Sequence, residues 1–133
     1  MELHPLPGPS GSEIETLAFR VFRAIPSPFA EHLIDIEVRV EEFADQEALH
    51  AVGLDNPWQL VGLYQGHPID KQSVWASGDL PPLIRLFRSP LLLECRERQC
   101  SLGEMVRHVV VHEVGHHFGF SDDDMHALED ETD

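Results

Sequence analysis

Apolar residues at Ile14, Leu17, Ala18, Val21, Phe22 and Ile25 recur at the spacing of one helix face, and Ser12 with Glu15 forms a capping box ahead of them. A first amphipathic helix is therefore predicted to run to about Ile25, where Pro26 and Pro28 end it. From Leu33 the period changes. Ile34, Ile36, Val38 and Val40 alternate with Asp35, Glu37, Arg39 and Glu41, which is the pattern of a strand with one buried face. Asp45 to Val52 suits a short helix and Gly53 to Pro57 a loop. Gln59 to Gln65 reads as a second strand closed by Gly66 and Pro68, whereas Ser73 to Pro82 is too rich in turn formers to assign.

Leu83 to Arg88 has the composition of a third strand, with Pro90 stopping it and a short helix over Leu91 to Glu97. Ser101 with Glu104 makes another capping box and opens a helix from about Leu102 to Phe118. Met105, Val106, Val109, Val110, Val111 and Phe118 make that helix apolar over most of its circumference, so it belongs in a core. Ser121 can cap a final short helix. The order of elements is α+β, with no internal repeat.

The last long helix carries the chemistry. His112-Glu113-Val114-Gly115-His116, followed by Gly119 and Asp122, reads H-E-x-x-H-x-x-G-x-x-D. Residues four apart on a helix return to nearly the same face, so His112 and His116 can reach one metal ion from successive turns. Glu113, offset by one residue, falls where a carboxylate could take a proton from a metal-bound water. Gly119 offers the left-handed conformation that ends a helix, and Asp122 follows the reversal as a third ligand. Asp123 and Asp124 compete with Asp122 for that role, but Asp124 is better explained as the partner of Ser121 in a cap.

This stretch resembles the extended zinc-binding motif of the zincin clan of metallopeptidases, in the variant where aspartate replaces a third histidine. In a chain of this length, with the motif near the C-terminus, it is similar to the small bacterial zincin-like "minimal" metallopeptidase family. The resemblance implies a zincin-like α+β fold in which a small mixed sheet packs on a buried HExxH helix followed by a short C-terminal helix. It also implies a zinc-dependent peptidase with Zn2+ held by His112, His116 and Asp122, and Glu113 as the catalytic base. Met125 follows Asp122 by only three residues, which departs from the separate methionine turn of the better-known metzincins.

Length and charge narrow the partners. The 133 residues fit one domain, 1–133, with residues 1–11 as a flexible N-terminus and 129–133 as an acidic tail. No apolar run is long enough to span a bilayer, and Met1 to Gly11 carries three prolines without the basic and apolar regions of a secretory signal. The expected address is the cytoplasm, with no membrane partner. Asp and Glu number 24 against 9 Lys and Arg, giving a formal charge of −15, with seven of the acidic residues between Asp122 and Asp133. Gripping a phosphodiester backbone needs a basic face, so no nucleic-acid partner is expected. Cys95 and Cys100 do not form a C-x-x-C pair, and two free thiols without a role are expected in a reducing compartment.

The other histidines read first as ordinary residues. His4, His32, His50 and His67 fall in polar segments, and His117 points about a quarter turn from His116. His108 shares the face of His112 and is a candidate for a contact that supports the site. His126, Tyr64 and Arg88 are candidates for stabilising an oxyanion. A peptide or protein substrate is expected to add as a strand to a sheet edge beside the motif helix, with Leu83 to Arg88 as the candidate edge. So short a chain has little material to wall a deep cleft, which a homodimer, another partner or a shallow cleft would each resolve. Alternatives are a non-catalytic zinc-binding module on the same fold, a metal-dependent RNA endonuclease and a non-haem iron oxygenase. Asp122, Glu113 and the negative charge count against the nuclease. The oxygenase would leave Glu113 without a task.

Overall fold

The computed structural model describes residues 3–66, 82–119 and 123. Helix α1 (Gly11–Ala24) leads through a 3-10 turn (Ala30–His32) to strand β1 (Glu37–Glu41) and helix α2 (Gln46–Ala51). A second 3-10 turn (Pro57–Gln59) precedes β2 (Gly62–Gln65); β3 (Leu83–Phe87), α3 (Arg88–Arg98) and α4 (Leu102–Phe118) follow. The small mixed sheet and its helices bear out the expected α+β architecture.

The strands lie in the order β1-β3-β2, with β1 parallel and β2 antiparallel to β3. Side chains alternate across β3. Ile84 and Leu86 enter the main core with Ile14, Ala18 and the valines of α4, while Phe87 faces the second cluster of Ala44, Ala48, Leu49 and Leu60. Arg85 points to that second face, where it is buried against Glu41 at 2.7 Å and Asp45 at 3.4 Å and lies over the Phe87 ring. Buried on both faces, β3 is the middle strand. It is therefore not an edge, and a peptide cannot add to it: Leu83 to Phe87 are paired with β1 on one side and β2 on the other.

The second strand starts at Gly62 rather than Gln59, because Asn56 accepts from the Trp58 N–H and caps a 3-10 turn that takes in Gln59. Three further boundaries differ from the sequence reading, each for a local reason. Ser10, not Ser12, caps α1, its hydroxyl accepting from the Glu13 N–H. The earlier Ser-x-x-Glu wins because starting there adds further helical bonds, the first from Ile14 N–H to the Ser10 carbonyl. The alternation from Leu33 becomes strand only at Glu37: Leu33 is buried by the 3-10 turn, and Ile34 is 82% exposed. Pro90 does not end β3. It sits in the first turn of α3, where a missing N–H leaves no bond unmade, so the helix starts at Arg88 directly after the strand.

The segment before α1 is fastened to α3. Leu6 N–H donates to the Ser89 hydroxyl, and Arg88, paired with Glu42, donates to the carbonyls of Pro9 and Gly8. Ser89 donates in turn to Glu42.

Helix α4 begins and ends where its sequence says. Ser101 accepts from the Glu104 N–H and donates to the Glu104 carboxylate, and Gly119, at φ 72°, closes the helix in the left-handed region. Its buried face packs on α1 and on β2. Contact with β2 is close enough that a β-carbon at Gly62 would meet Val109 Cγ1 at 2.7 Å. Glycine at that register, opposite Leu86, lets the helix lie against the strand.

Candidate metal centre

Burial fixes the orientation of the site. Val109, Val110, Val111 and Val114 lock α4 into the core, and the helical period turns His112 and His116 outward together. Their ring centroids lie 4.7 Å apart, and His116 is 46% exposed at its side chain. Glu113, one residue round the helix, is 5% exposed and brings Oε1 to 3.1 Å from His116 Nδ1. A carboxylate beside Nδ1 favours the proton on that nitrogen, leaving the lone pair of Nε2 for another partner.

His112, Glu113 and His116 each offer a donor atom, and these atoms lie within 4.8 Å of one another. The two imidazoles are donors that zinc prefers, and the Glu113 carboxylate beside them is placed to act on a ligand of that metal, so the residues present suit zinc. Asp122, the expected third ligand, and Asp124 and His126 lie outside the described residues. Asp123, which is described, is helical and exposed.

His117 lies about a quarter turn round the helix from His116 and takes no part in this group. It is 3% exposed, with Tyr64 donating its hydroxyl to Nδ1 at 2.7 Å and Nε2–H donating to the His32 carbonyl at 3.2 Å. Burial holds His117 below the ordinary imidazole value and Tyr64 above the ordinary phenol value, so both are neutral at pH 7. This neutral pair ties β2 and the 3-10 turn to the end of α4. Tyr64 thus has a structural partner, and Arg88, engaged with Glu42 and the N-terminal segment, is likewise accounted for by packing.

A cleft of about 240 Å³ opens beside His112 and Glu113. Val61, Met105 and Val109 give it an apolar lining, while Gln59, His108 and the Glu94–Arg98 ion pair supply polar groups. Arg98 Nε lies 2.8 Å from the Glu94 carboxylate. Sequence reasoning placed His108 near the site but had no signal for Gln59, Val61 or α3, because the cleft is made by chain segments brought together only in the fold. Along the outer side of β2, none of the described residues forms a pairing strand.

Residues 33–132 match the family described as zincin-like metallopeptidase. The chain belongs to that family. The match takes in the whole sheet, α2, α3 and the site helix, and the zincin-like domain it implies agrees with the fold. Helix α1 lies before the matched span, yet contributes Ile14, Ala18 and Val21 to the core under α4. No curated protein matches the chain. No described helix is long and apolar enough to cross a membrane.

Proposed function

We propose that this protein is a zinc-dependent peptidase in which His112, His116 and Asp122 hold the metal and Glu113 is the catalytic base. The observation that carries this reading is the convergence of His112 and His116 on one exposed helix face with Glu113 buried between their turns and an open cleft alongside. A bound zinc ion would supply a Lewis acid for the scissile carbonyl and make a water easier to deprotonate at neutral pH. Glu113 takes the proton from the attacking water and returns it to the departing amine. Its packed helix holds the carboxylate in place, which suits a group that must act at a fixed distance.

The substrate backbone is positioned by β2. This strand is antiparallel to β3, packs against α4 and leads out of Val61, a wall of the cleft. An extended peptide pairing with its outer side would run past His112 and Glu113, with one side chain entering between Val61, Met105 and Val109. The apolar lining favours an uncharged side chain there.

A mixed peptide library incubated with the zinc-supplied protein tests this function. Cleavage that stops on chelation and returns with zinc is expected. Intact peptides, with zinc bound at one per chain, would instead favour the non-catalytic zinc-binding module.

A further inference from the structure

Helix α3 ends in a way that brings two thiols into contact. Gln99 adopts φ 55°, its N–H donates to the Arg96 carbonyl, and the Cys100 N–H donates to the Cys95 carbonyl at 3.2 Å. This pair of bonds is the Schellman arrangement, in which the residue after the left-handed position folds back on the residue five before it. Those two positions are Cys100 and Cys95. Their sulfurs lie 3.9 Å apart, both half-buried.

We infer that Cys95 and Cys100 form a reversible dithiol–disulfide couple that staples the turn between α3 and α4 at the wall of the cleft. The inference stands apart from the peptidase reading, since it rests on the turn and not on the metal.

Local contacts decide the order of events. The Cys95 thiol donates to the Cys100 carbonyl at 2.9 Å, and burial holds it above its ordinary pKa, so Cys95 is the resting thiol and Cys100 the first to react. The oxidant is a small-molecule disulfide of the glutathione type. The Cys100 thiolate attacks one of its sulfurs, the S–S bond breaks, and one small thiol leaves. Cys95 then loses its proton and attacks the Cys100 sulfur, the mixed disulfide breaks, and the second small thiol leaves. Two protein thiols give up two electrons and two protons, and the small disulfide takes them up as two thiols.

Closing the bond has a direction. A disulfide needs about 2.05 Å between sulfurs, so the pair must draw together by roughly 2 Å. Cys100 Sγ also lies 4.0 Å from Met105 Sδ, and Met105 lines the cleft. Glu94 and Arg98, which face the cleft from α3, flank Cys95 in the same turn. Oxidation therefore fixes the α3 wall and changes the packing behind Met105.

The test is thiol accounting by mass spectrometry on the folded full-length chain exposed to excess glutathione disulfide, beside Cys95→Ser and Cys100→Ser. Because the second thiol is already in contact, the internal disulfide should exceed the mixed adduct by about tenfold or more. Dithiothreitol should restore both thiols, and Cys95→Ser should accumulate the glutathione adduct on Cys100. A wild-type chain that ends mainly as mixed adduct, or keeps mainly free thiols while the urea-unfolded chain oxidises, overturns the proposal.

Discussion

Tyr64 and His117 share a 2.7 Å hydrogen bond that joins an outer strand of the sheet to the helix bearing the candidate ligands. His117 is adjacent to His116 in sequence but points about a quarter turn away, buried where His116 is exposed, so whatever positions its ring also positions the last turn of α4. The second ring nitrogen, bonded to the His32 carbonyl, fixes the same turn from another side.

Tyr64→Phe removes the donor and leaves His117 Nδ1 buried without that partner. An unsatisfied buried acceptor costs about 1–3 kcal/mol. Urea unfolding of the metal-free protein should show a loss in that range, with Tyr64→Phe still folded and its zinc capacity unchanged at saturating metal. A loss below the error of the measurement would mean that the hydroxyl bond contributes nothing net.

Gly62→Ala should destabilise more than its single methyl group suggests. The added β-carbon would sit 2.7 Å from Val109 Cγ1, with Leu86 Cδ2 next at 3.5 Å, so strand and helix must separate. Overpacking of this kind costs about 1–3 kcal/mol. Pairing the change with Val109→Ala makes room, and the double variant should recover stability relative to Gly62→Ala alone. No recovery would place the strain elsewhere.

Asp45 caps α2 and also lies 3.4 Å from Arg85. Its hydrogen bond from the Ala48 N–H, and after it the Arg85 charge, hold the carboxyl below its ordinary value of 3.8. The unfolded state therefore binds a proton more readily, so this contribution is complete above pH 3.8 and is lost as pH falls through the lower folded value. Asp45→Asn keeps an acceptor for the cap and deletes the charge. Its deficit in melting temperature should be present at neutral pH and vanish under strongly acid conditions; a deficit independent of pH would show that the cap, not the charge, was altered.

How much of this was legible in the chain depends on how local each signal is. Ser101, Glu104 and Gly119 bound α4 correctly because caps act within one turn, and the spacing of His112 and His116 needs only a helix to bring their rings together. The middle position of β3 was not legible, since Leu83 to Phe87 carry the same residues whether they pair on one side or two; the order β1-β3-β2 goes with tertiary packing, β1 against α1 and β2 against α4. Pro90 was misread because proline stops a strand and starts a helix with equal ease. Ile34 kept the alternation of the following strand but fell in a turn, where alternation carries no burial. Gln59 and Val61 reach the cleft through tertiary contacts for which the sequence has no period.

Glu113→Gln tests the division of labour at the site most directly, by zinc content and peptide hydrolysis measured on the same preparation. With His112, His116 and Asp122 holding the metal and Glu113 moving the proton, the variant should bind zinc at one per chain, as the wild type does. Its turnover should fall by at least about a hundredfold, the usual contribution of a general base. Loss of zinc from Glu113→Gln would make Glu113 a ligand, and turnover that survives with zinc in place would remove it from the chemistry; either result would contradict the assignment.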